Sequence, residues 1–512
     1  MSSRPSAGWF EYLPVQLLVL VAVCVVSLWS AWIGFVASDD EYYVMSALGW
    51  REHFPYVAEH FGTIRASVAI PMALVIAVLG ESEWSLSLAA ALTLFAVAAV
   101  TMYMLNGLLS RGAALITSVL LLTAPIYALK STTPNADVPE LFFVILSFWL
   151  FWRGCVGPAW RGWLLASGLS AGLAFSAHEL SAALMIFYGM LFLRGYRMPR
   201  LRYGWILVGF AAVIAAECLY YAVAAGNPLH RFELLLRGVA ASHDRVEVGF
   251  LQIASGGTLH VWGPVDPVVM LLTHHNFSLI GWVALPAVMW LLGRGWRDEA
   301  PAPALARLAL GMAVTWTVFN TYMLREIILL PRYYMVTAYF LVLVSAVWLA
   351  CAVWPRRPKT VVAIIVAVLL ANMLCVAVDN KNPKFAQRAL VDYLKHSSGT
   401  VYTDPLTADD TDWYCRWAGV DCGRIVTTPP GEGAVYFWNP RNTAEPNRFV
   451  KQDALPAYRP APAWEKISTI EGEPMLIGRA LRMTGLASRV PERVLQRVTS
   501  PNPPAHLYVV HN

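Results

Sequence analysis

The 512-residue chain contains 57% hydrophobic residues, only 14% charged residues, and a formal net charge of +5. Soluble globular proteins carry about 25% charged residues, so this chain has too few charges to cover a water-exposed surface. The composition also excludes a disordered or coiled-coil protein, and the small net charge comes from scattered arginines and not from a basic stripe, which excludes a nucleic-acid-binding protein.

Long uncharged runs predict membrane-spanning helices along the first three quarters of the chain. The strong runs are residues 15–37, 84–110, 112–129, 308–324, 333–354 and 361–378, and the weaker ones are 64–80, 138–152, 162–177, 180–193, 204–225 and 267–293. The sequence therefore predicts a polytopic α-helical membrane protein. Because the first residues are expected inside and the last region outside, the number of spans is expected to be odd, 11 or 13.

Basic residues in short loops set the expected orientation, since loops rich in Lys and Arg stay in the cytoplasm. Four basic clusters, each separated from the next by two apolar segments, are Arg153/Arg161, Arg194–Arg202, Arg294–Arg307 and Arg356–Lys359. The first loop (38–63), the long loop (226–266) and everything after residue 379 then face outside. Three apolar runs lie between two loops expected on the outside, so one run is expected to be re-entrant, or 84–110 to contain a break.

The composition changes after residue 379. Residues 380–512 carry Pro, Gly, Asp and Arg at the density of a soluble protein, and their number suffices for one small α/β domain. We therefore divide the chain into a membrane domain, 1–379, and an extracytoplasmic domain, 380–512. "GTVYTDPLTA" and "GAVYFWNP" are typical of short strands. Cys415 and Cys422 could form a disulfide in an oxidising compartment, or remain two free thiols.

Charged residues that could do chemistry gather on the predicted outer side. Asp39, Asp40 and Glu41 follow the first apolar run; a carboxylate there could act as a general base, or the acids could simply begin a solvated helix. Arg65 precedes the next helix, where an arginine either anchors the membrane edge or binds a lipid-borne phosphate.

Further candidates stand at later helix ends. Asp137 heads an apolar helix in "PNADVP", where it could also be an N-cap, and Arg332-Tyr333 enters a late helix. His178-Glu179 interrupts an otherwise uncharged stretch, so these residues are either functional or the tip of a hairpin. Glu217 could bond to a neighbouring helix. His274 and His275 are adjacent and would point apart on a helix, so we expect no catalytic metal.

These features occur in an order that resembles a known family. The acidic triplet and a cation are followed by "STTPNADVPELFF", a basic cytoplasmic run, "GNPLHRF" and "LPRYYM". The set, which spans residues 39–354, resembles the bacterial branch of the dolichyl-phosphate-mannose protein mannosyltransferases, which includes the lipid A aminoarabinose transferases and has the GT-C fold. The carboxyl-terminal region resembles no family that we can name.

The resemblance implies an inverting transfer of a sugar from a polyprenyl-phosphate carrier to an acceptor hydroxyl. It implies the following roles: Asp39 as the general base with Asp40 as its helper, Arg65, Arg332 and Tyr333 in binding the donor phosphate, and Asp137, His178 and Glu179 in binding substrate. Two positions depart from the family pattern: Arg65-Ala66-Ser67 stands where Lys-Pro-Pro is common, and His178-Glu179 stands near a common Lys.

The expected partners follow from this reaction. They are the polyprenyl-phosphate sugar, an acceptor that is a glycan, a lipid or a protein, and the surrounding lipid; no cofactor is needed. The resemblance places the chain in a bacterial inner membrane, with its site and carboxyl-terminal domain in the periplasm. A lipid-linked glycan flippase or polymerase remains an alternative, as does a secondary transporter, which would need broken helices and buried midplane charges.

Overall fold

The computed structural model describes residues 12–243, 265–293, 298–323, 330–444, 458–500 and 502–511. The chain divides into two compact units. The membrane unit comprises Met1–Gly34, Asp39–Gly80 and Trp84–Val376, and the carboxyl-terminal unit comprises Phe35–Ser38, Glu81–Glu83 and Ala377–Asn512.

The membrane unit is built from helices. In chain order these are α1 (Leu13–Ala31), α2 (Asp39–Glu52), α3 (Ala66–Leu79), α4 (Glu83–Asn106), α5 (Arg111–Thr123), α6 (Pro125–Lys130), α7 (Asp137–Val156), α8 (Trp160–Ala177), α9 (Ala182–Arg194), α10 (Gly204–Ala225), α11 (His230–His243), α12 (Asp266–Thr273), α13 (Ile280–Leu292), α14 (Pro301–Val318), α15 (Met335–Trp348) and α16 (Pro358–Ala377).

Within the described residues, seven helices are long and apolar enough to cross a membrane. They are Leu13–Ala31, Glu83–Asn106, Asp137–Val156, Arg200–Ala225, Pro301–Tyr322, Pro331–Val353 and Pro358–Ala377, and shorter apolar helices cover Ala66–Leu79, Arg111–Thr123 and Ile280–Leu292. The predicted polytopic helical fold is therefore confirmed. The total of 11 or 13 spans stays a prediction.

Two predicted runs are interrupted by turns of the backbone. The run 112–129 is divided at Ala124, where α5 ends and α6 follows. The run 84–110, in contrast, shows no break within α4, which is continuous to Asn106. Ala124 adopts an extended conformation because the following Pro125 disfavours helical geometry there. The run 267–293 likewise forms two helices, α12 and α13, with Ser278 at a positive φ of 50° between them.

Small residues bring α8 and α10 close together. A Cβ atom on Gly168 would lie 2.0 Å from the carbonyl oxygen of Ile206, and one on Gly209 would lie 2.3 Å from that of Leu165. Small residues at such crossings allow helix backbones in a membrane to pack in direct contact. This packing fixes the end of α8, which leads into His178, beside α10.

Part of the core of the membrane unit lies between α4, α7, α14 and α15. Trp316, Tyr339 and Phe340 are fully buried there, and the rings of Phe340 and Phe148 are 4.7 Å apart. The Tyr339 hydroxyl lies 2.9 Å from Thr101 Oγ1, so the buried phenol has a hydrogen-bond partner. These contacts join α4, α7 and α15 in the core of the unit.

The carboxyl-terminal unit combines a mixed sheet with helices. Its elements are α17 (Phe385–His396), β1 (Val401–Tyr402), α18 (Pro405–Ala418), β2 (Ile425–Val426), β3 (Val435–Trp438), α19 (Pro440–Ala444), β4 (Glu465–Ile470), α20 (Leu476–Met483), α21 (Glu492–Thr499) and β5 (Ala505–Val509). The strand order is β2-β1-β3-β5-β4; β1 runs parallel to β2 and β3, and β5 runs antiparallel to β3 and β4. The two strands predicted from sequence correspond to β1 and β3.

A disulfide joins Cys415, in the last turn of α18, to Cys422. The same unit also includes two short segments that the change in composition does not reveal. Phe35 is fully buried, its carbonyl accepts a 2.6 Å hydrogen bond from the Tyr414 hydroxyl, and its amide donates to Glu83 at 2.8 Å. Glu83 in turn forms an ion pair with Arg388.

Candidate active site

Asp39 and Arg332, which are 293 positions apart in sequence, form an ion pair with Arg332 Nη2 2.5 Å from Asp39 Oδ2. Asp39 begins α2, where the unpaired amides of the first turn favour a negative charge. Burial raises the pKa of Asp39, but Arg332 and then Arg65 outweigh it, so the pKa lies below its ordinary value. The carboxylate is therefore ionised at neutral pH, as a general base must be.

Asp40 differs from its neighbour in exposure. The Asp39 side chain is 51% exposed, whereas Asp40 as a whole is only 4% exposed. A general base must reach the substrate, so the geometry favours Asp39 over Asp40 for this role.

Arg65 forms the N-cap of α3 and lies in the same site. Its Nη1 donates to the hydroxyl of Tyr43, which is one helical turn after Asp39 and hence on the same face of α2. Its Nη2 donates to Glu179 Oε2 at 3.3 Å. Burial lowers the pKa of Arg65, but Tyr43 and Glu179 outweigh it and keep the pKa above its ordinary value, so the guanidinium stays charged.

Asp137 and Tyr333 complete the surroundings of the two arginines. Asp137 is the first residue of α7, is 5% exposed, and interacts electrostatically with both Arg65 and Arg332. The Tyr333 ring lies under the Arg332 guanidinium, 5.3 Å from its centroid, and 6.0 Å from the ring of His178.

His178 and Glu179 lie in the short connection between α8 and α9, and their charges differ. Burial, followed by the charge of Arg65, lowers the pKa of His178 to about 4, so its ring is neutral at neutral pH. Its Nδ1 accepts the amide of Leu180 at 3.3 Å, which agrees with an unprotonated nitrogen. Burial raises the pKa of Glu179, but Arg65 above all outweighs it and lowers the pKa to about 2.

Sequence reasoning assigned no role to Glu140, Ser181 or Arg231. Glu140 Oε1 accepts a 2.8 Å hydrogen bond from Ser181 Oγ and lies 3.8 Å from His178 Nδ1. Arg231 is 1% exposed and contacts the carboxylate of Glu217. Glu140 and Arg231 both occur inside stretches that carried the family resemblance, "ADVPELFF" and "GNPLHRF", and this was the available signal.

The histidine pair is arranged differently from the expectation. His274 and His275 lie between α12 and α13, not on a continuous helix, and their rings stack with centroids 4.6 Å apart. In the part of the chain that the structure describes, no group of three or more His, Cys, Asp or Glu residues could hold a metal ion. His260, a further histidine in the long loop predicted at 226–266, lies outside the described residues.

The profile of the dolichyl-phosphate-mannose-protein mannosyltransferase family matches residues 68–221. This confirms the resemblance that the sequence shows to that family. The matched segment contains Asp137, His178 and Glu179, whereas Asp39, Arg65 and Arg332 lie outside it. No curated protein sequence matches the chain.

Solved structures with a similar fold include ArnT from Cupriavidus metallidurans bound to undecaprenyl phosphate (TM-score 0.58, 13% identity, 85% of this chain and 94% of ArnT covered). The apo state of the same protein gives a TM-score of 0.54 at 14% identity, covering 89% and 96% of the two chains. AglB from Archaeoglobus fulgidus, in complex with an inhibitory peptide and a dolichol-phosphate, gives 0.50 at 11% identity, covering 83% and 62%. The predicted GT-C fold is therefore confirmed.

Proposed function

We propose that the protein is a glycosyltransferase that moves a sugar from a polyprenyl-phosphate carrier to an acceptor hydroxyl, with inversion at the sugar carbon. The observation that carries this proposal is the ion pair of Asp39 with Arg332 beside Arg65, which is partly buried. An ionised, half-exposed carboxylate next to two fixed cations is what such a reaction needs: a base for the acceptor and a positive site for the leaving phosphate.

The chemistry follows from these groups. The acceptor oxygen attacks the anomeric carbon from the side opposite the phosphate, and Asp39 takes the acceptor proton. The bond between the anomeric carbon and the phosphate oxygen breaks, and its electron pair stays on the phosphate. Arg65 and Arg332 stabilise the charge that develops there, because their positions are fixed before the reaction. This scheme requires no metal or other cofactor.

Arg332 links donor binding to the base. A donor phosphate at Arg332 would share the guanidinium that now holds Asp39 at 2.5 Å. Weakening that contact raises the pKa of Asp39, because a nearby positive charge is partly neutralised. Donor binding therefore makes Asp39 a stronger base when the reaction is ready to occur. Asp40, which is buried beside Asp39 in the sequence, is the helper carboxylate in this proposal.

The remaining residues have supporting roles in the proposal. Asp137 and Glu179 balance the charge of the arginines, Tyr333 supports the Arg332 guanidinium, and the neutral ring of His178 is available to hydrogen-bond a sugar hydroxyl. The carrier class is supported by the names of the similar proteins, ArnT with undecaprenyl phosphate and AglB with a dolichol-phosphate. The acceptor is a glycan, a lipid or a protein.

The proposed location is a bacterial inner membrane, with the site and the carboxyl-terminal unit in the periplasm. The basic clusters support this orientation, and Arg356, Arg357 and Lys359 of the last cluster are exposed next to the start of α16. The position of the polar site supports it as well, because the site lies at the ends of the apolar runs that are opposite to these clusters.

The reaction can be tested with purified protein in liposomes that contain a panel of undecaprenyl-phosphate sugars labelled in the sugar, with a lipid, a glycan and a peptide that carry free hydroxyls supplied as candidate acceptors. A glycosyltransferase releases free undecaprenyl phosphate, and the Arg65→Ala protein releases much less. Movement of intact labelled lipid across the bilayer without its cleavage would contradict the proposal and support the flippase alternative.

A further inference from the structure

Arg231 is one of the largest fully buried side chains among the described residues, with 1% of its surface exposed. It lies in the first turn of α11, which residues 226–229 connect to α10. Its Nη1 is 2.5 Å from Glu217 Oε2, and its Nη2 donates to the carbonyl of Phe175 at 2.8 Å. The same Nη2 lies 3.5 Å from Glu179 Oε1. The buried guanidinium thus contacts two carboxylates.

Glu179 is divided between two arginines. Its Oε2 accepts from Arg65 Nη2 at 3.3 Å, and its Oε1 lies 3.5 Å from Arg231 Nη2. Both distances exceed the 2.7–2.9 Å that is typical of a charge-assisted hydrogen bond. Glu179 therefore does not fully neutralise Arg65.

Arg65 also has a donor that no described residue satisfies. Its Nε is buried and has no hydrogen-bond partner among the described residues. A buried, charged donor without a partner is costly unless a ligand satisfies it. A phosphate oxygen is the kind of acceptor that a guanidinium binds well.

We propose that Arg231 is a positioning residue that holds Glu179 in this shared arrangement and thereby keeps Arg65 available for the donor phosphate. The inference rests on the donor-binding role of Arg65 in the proposed function. Without Arg231, both oxygens of Glu179 can turn towards Arg65 in the bidentate geometry that carboxylates and guanidiniums favour. Glu179 would then compete with the phosphate.

The surroundings of α11 keep Arg231 in place. His230 Nε2 lies 2.7 Å from the carbonyl oxygen of Ala58, and a Cβ on Gly238 would lie 2.4 Å from the ring of Phe61. Helix α11 is therefore packed directly against the segment that leads to Arg65. Any displacement of α11 would withdraw Arg231 from Glu179.

Two double variants with the same net charge separate this role from a merely structural one. Arg231→Gln with Glu217→Gln removes the buried pair and leaves Glu179 free to bind Arg65. Arg231→Gln with Glu179→Gln removes the same charges but also removes the competitor of the phosphate. The readout is the affinity for undecaprenyl phosphate, titrated into the purified full-length protein and followed by tryptophan fluorescence.

The first double variant is expected to bind undecaprenyl phosphate about tenfold more weakly than the wild type, the effect of roughly one charge-assisted hydrogen bond. The second should bind at least as tightly as the wild type. The single variant Glu217→Gln should not weaken binding, since Arg231 then has Glu179 as its remaining carboxylate partner.

The controls are the wild type, which should bind undecaprenyl phosphate, and Arg65→Ala, which should not. If the controls behave in this way, two results would overturn this inference alone: an equal loss of affinity in the two double variants, or an unchanged affinity in the first double variant. A wild type that binds no undecaprenyl phosphate would overturn the proposed function and this inference together. If Arg231→Gln alone fails to fold, the charge-balanced double variants still decide the outcome.

Discussion

Replacing Arg332 with alanine tests how the proposed base is kept ionised. Arg332 Nη2 is 2.5 Å from Asp39 Oδ2, and the side chains are 23% and 51% exposed. An opposite charge this close lowers a carboxyl pKa. Because the Asp39 side chain is half-exposed, water screens part of this effect.

Removal of Arg332 should change the pH dependence of the reaction in one direction. Arg332 lowers the pKa of Asp39, so its removal raises that pKa, and the acid limb of the kcat/KM profile moves to higher pH. The variant also loses a donor contact, which should weaken donor affinity by about tenfold or more. Arg332→Lys keeps the charge and should keep the acid limb close to that of the wild type. It should bind the donor at an intermediate affinity, because an ammonium cannot form the bidentate contact.

The assay is the initial rate of undecaprenyl phosphate release from an undecaprenyl-phosphate sugar, measured from acidic to neutral pH at matched protein levels. Arg416→Ala is the matched control, since Arg416 pairs with Glu81 at 2.8 Å in the carboxyl-terminal unit and is not among the charges that lower the pKa of Asp39. It should leave the acid limb unchanged. An acid limb that is the same in Arg332→Ala and in the wild type would refute the electrostatic argument.

Three further predictions concern the base, the buried histidine and the orientation. Asp40→Asn should retain partial transfer with its acid limb moved to lower pH, because loss of a like charge lowers the pKa of Asp39; a complete loss of transfer would point to Asp40 as the base. The wild type should lose thermal stability as the pH falls from 6.5 towards 4, because the unfolded chain protonates His178 before the folded protein does, and melting curves should show a smaller loss in His178→Gln. An equal loss in both proteins would show that another group is responsible. A phosphatase fused after the last residue should be active and one fused at Pro358 inactive, and the reverse pattern would contradict the proposed orientation.

Much of the helical architecture could be predicted because apolar runs long enough to span a membrane are local features of the sequence. The breaks were harder to predict. The turn at Ala124–Pro125 carries a local signal in the proline, but Ser278 adopts a positive φ that no residue type in its vicinity indicates. The average apolarity of a run of residues does not indicate where the backbone turns within that run.

The charged residues of the site were predictable for a related reason: Asp39, Arg65 and Arg332 stand at the ends of apolar runs. Their pairing was not, because it depends on contacts between residues as far as 293 positions apart. Arg231 was missed because it lies in the long loop predicted at 226–266, where a single buried arginine cannot be told from the exposed charged residues around it. Burial is a property of the tertiary fold, and the sequence gives it no separate signal.

The most direct test of the central proposal is the transfer rate of Asp39→Asn under single-turnover conditions. The amide keeps the size of the side chain but cannot accept the acceptor proton. The variant should still bind undecaprenyl phosphate, while sugar transfer from the undecaprenyl-phosphate donor falls by about 10²- to 10⁴-fold. Transfer at the wild-type rate would contradict the assignment of Asp39 as the general base.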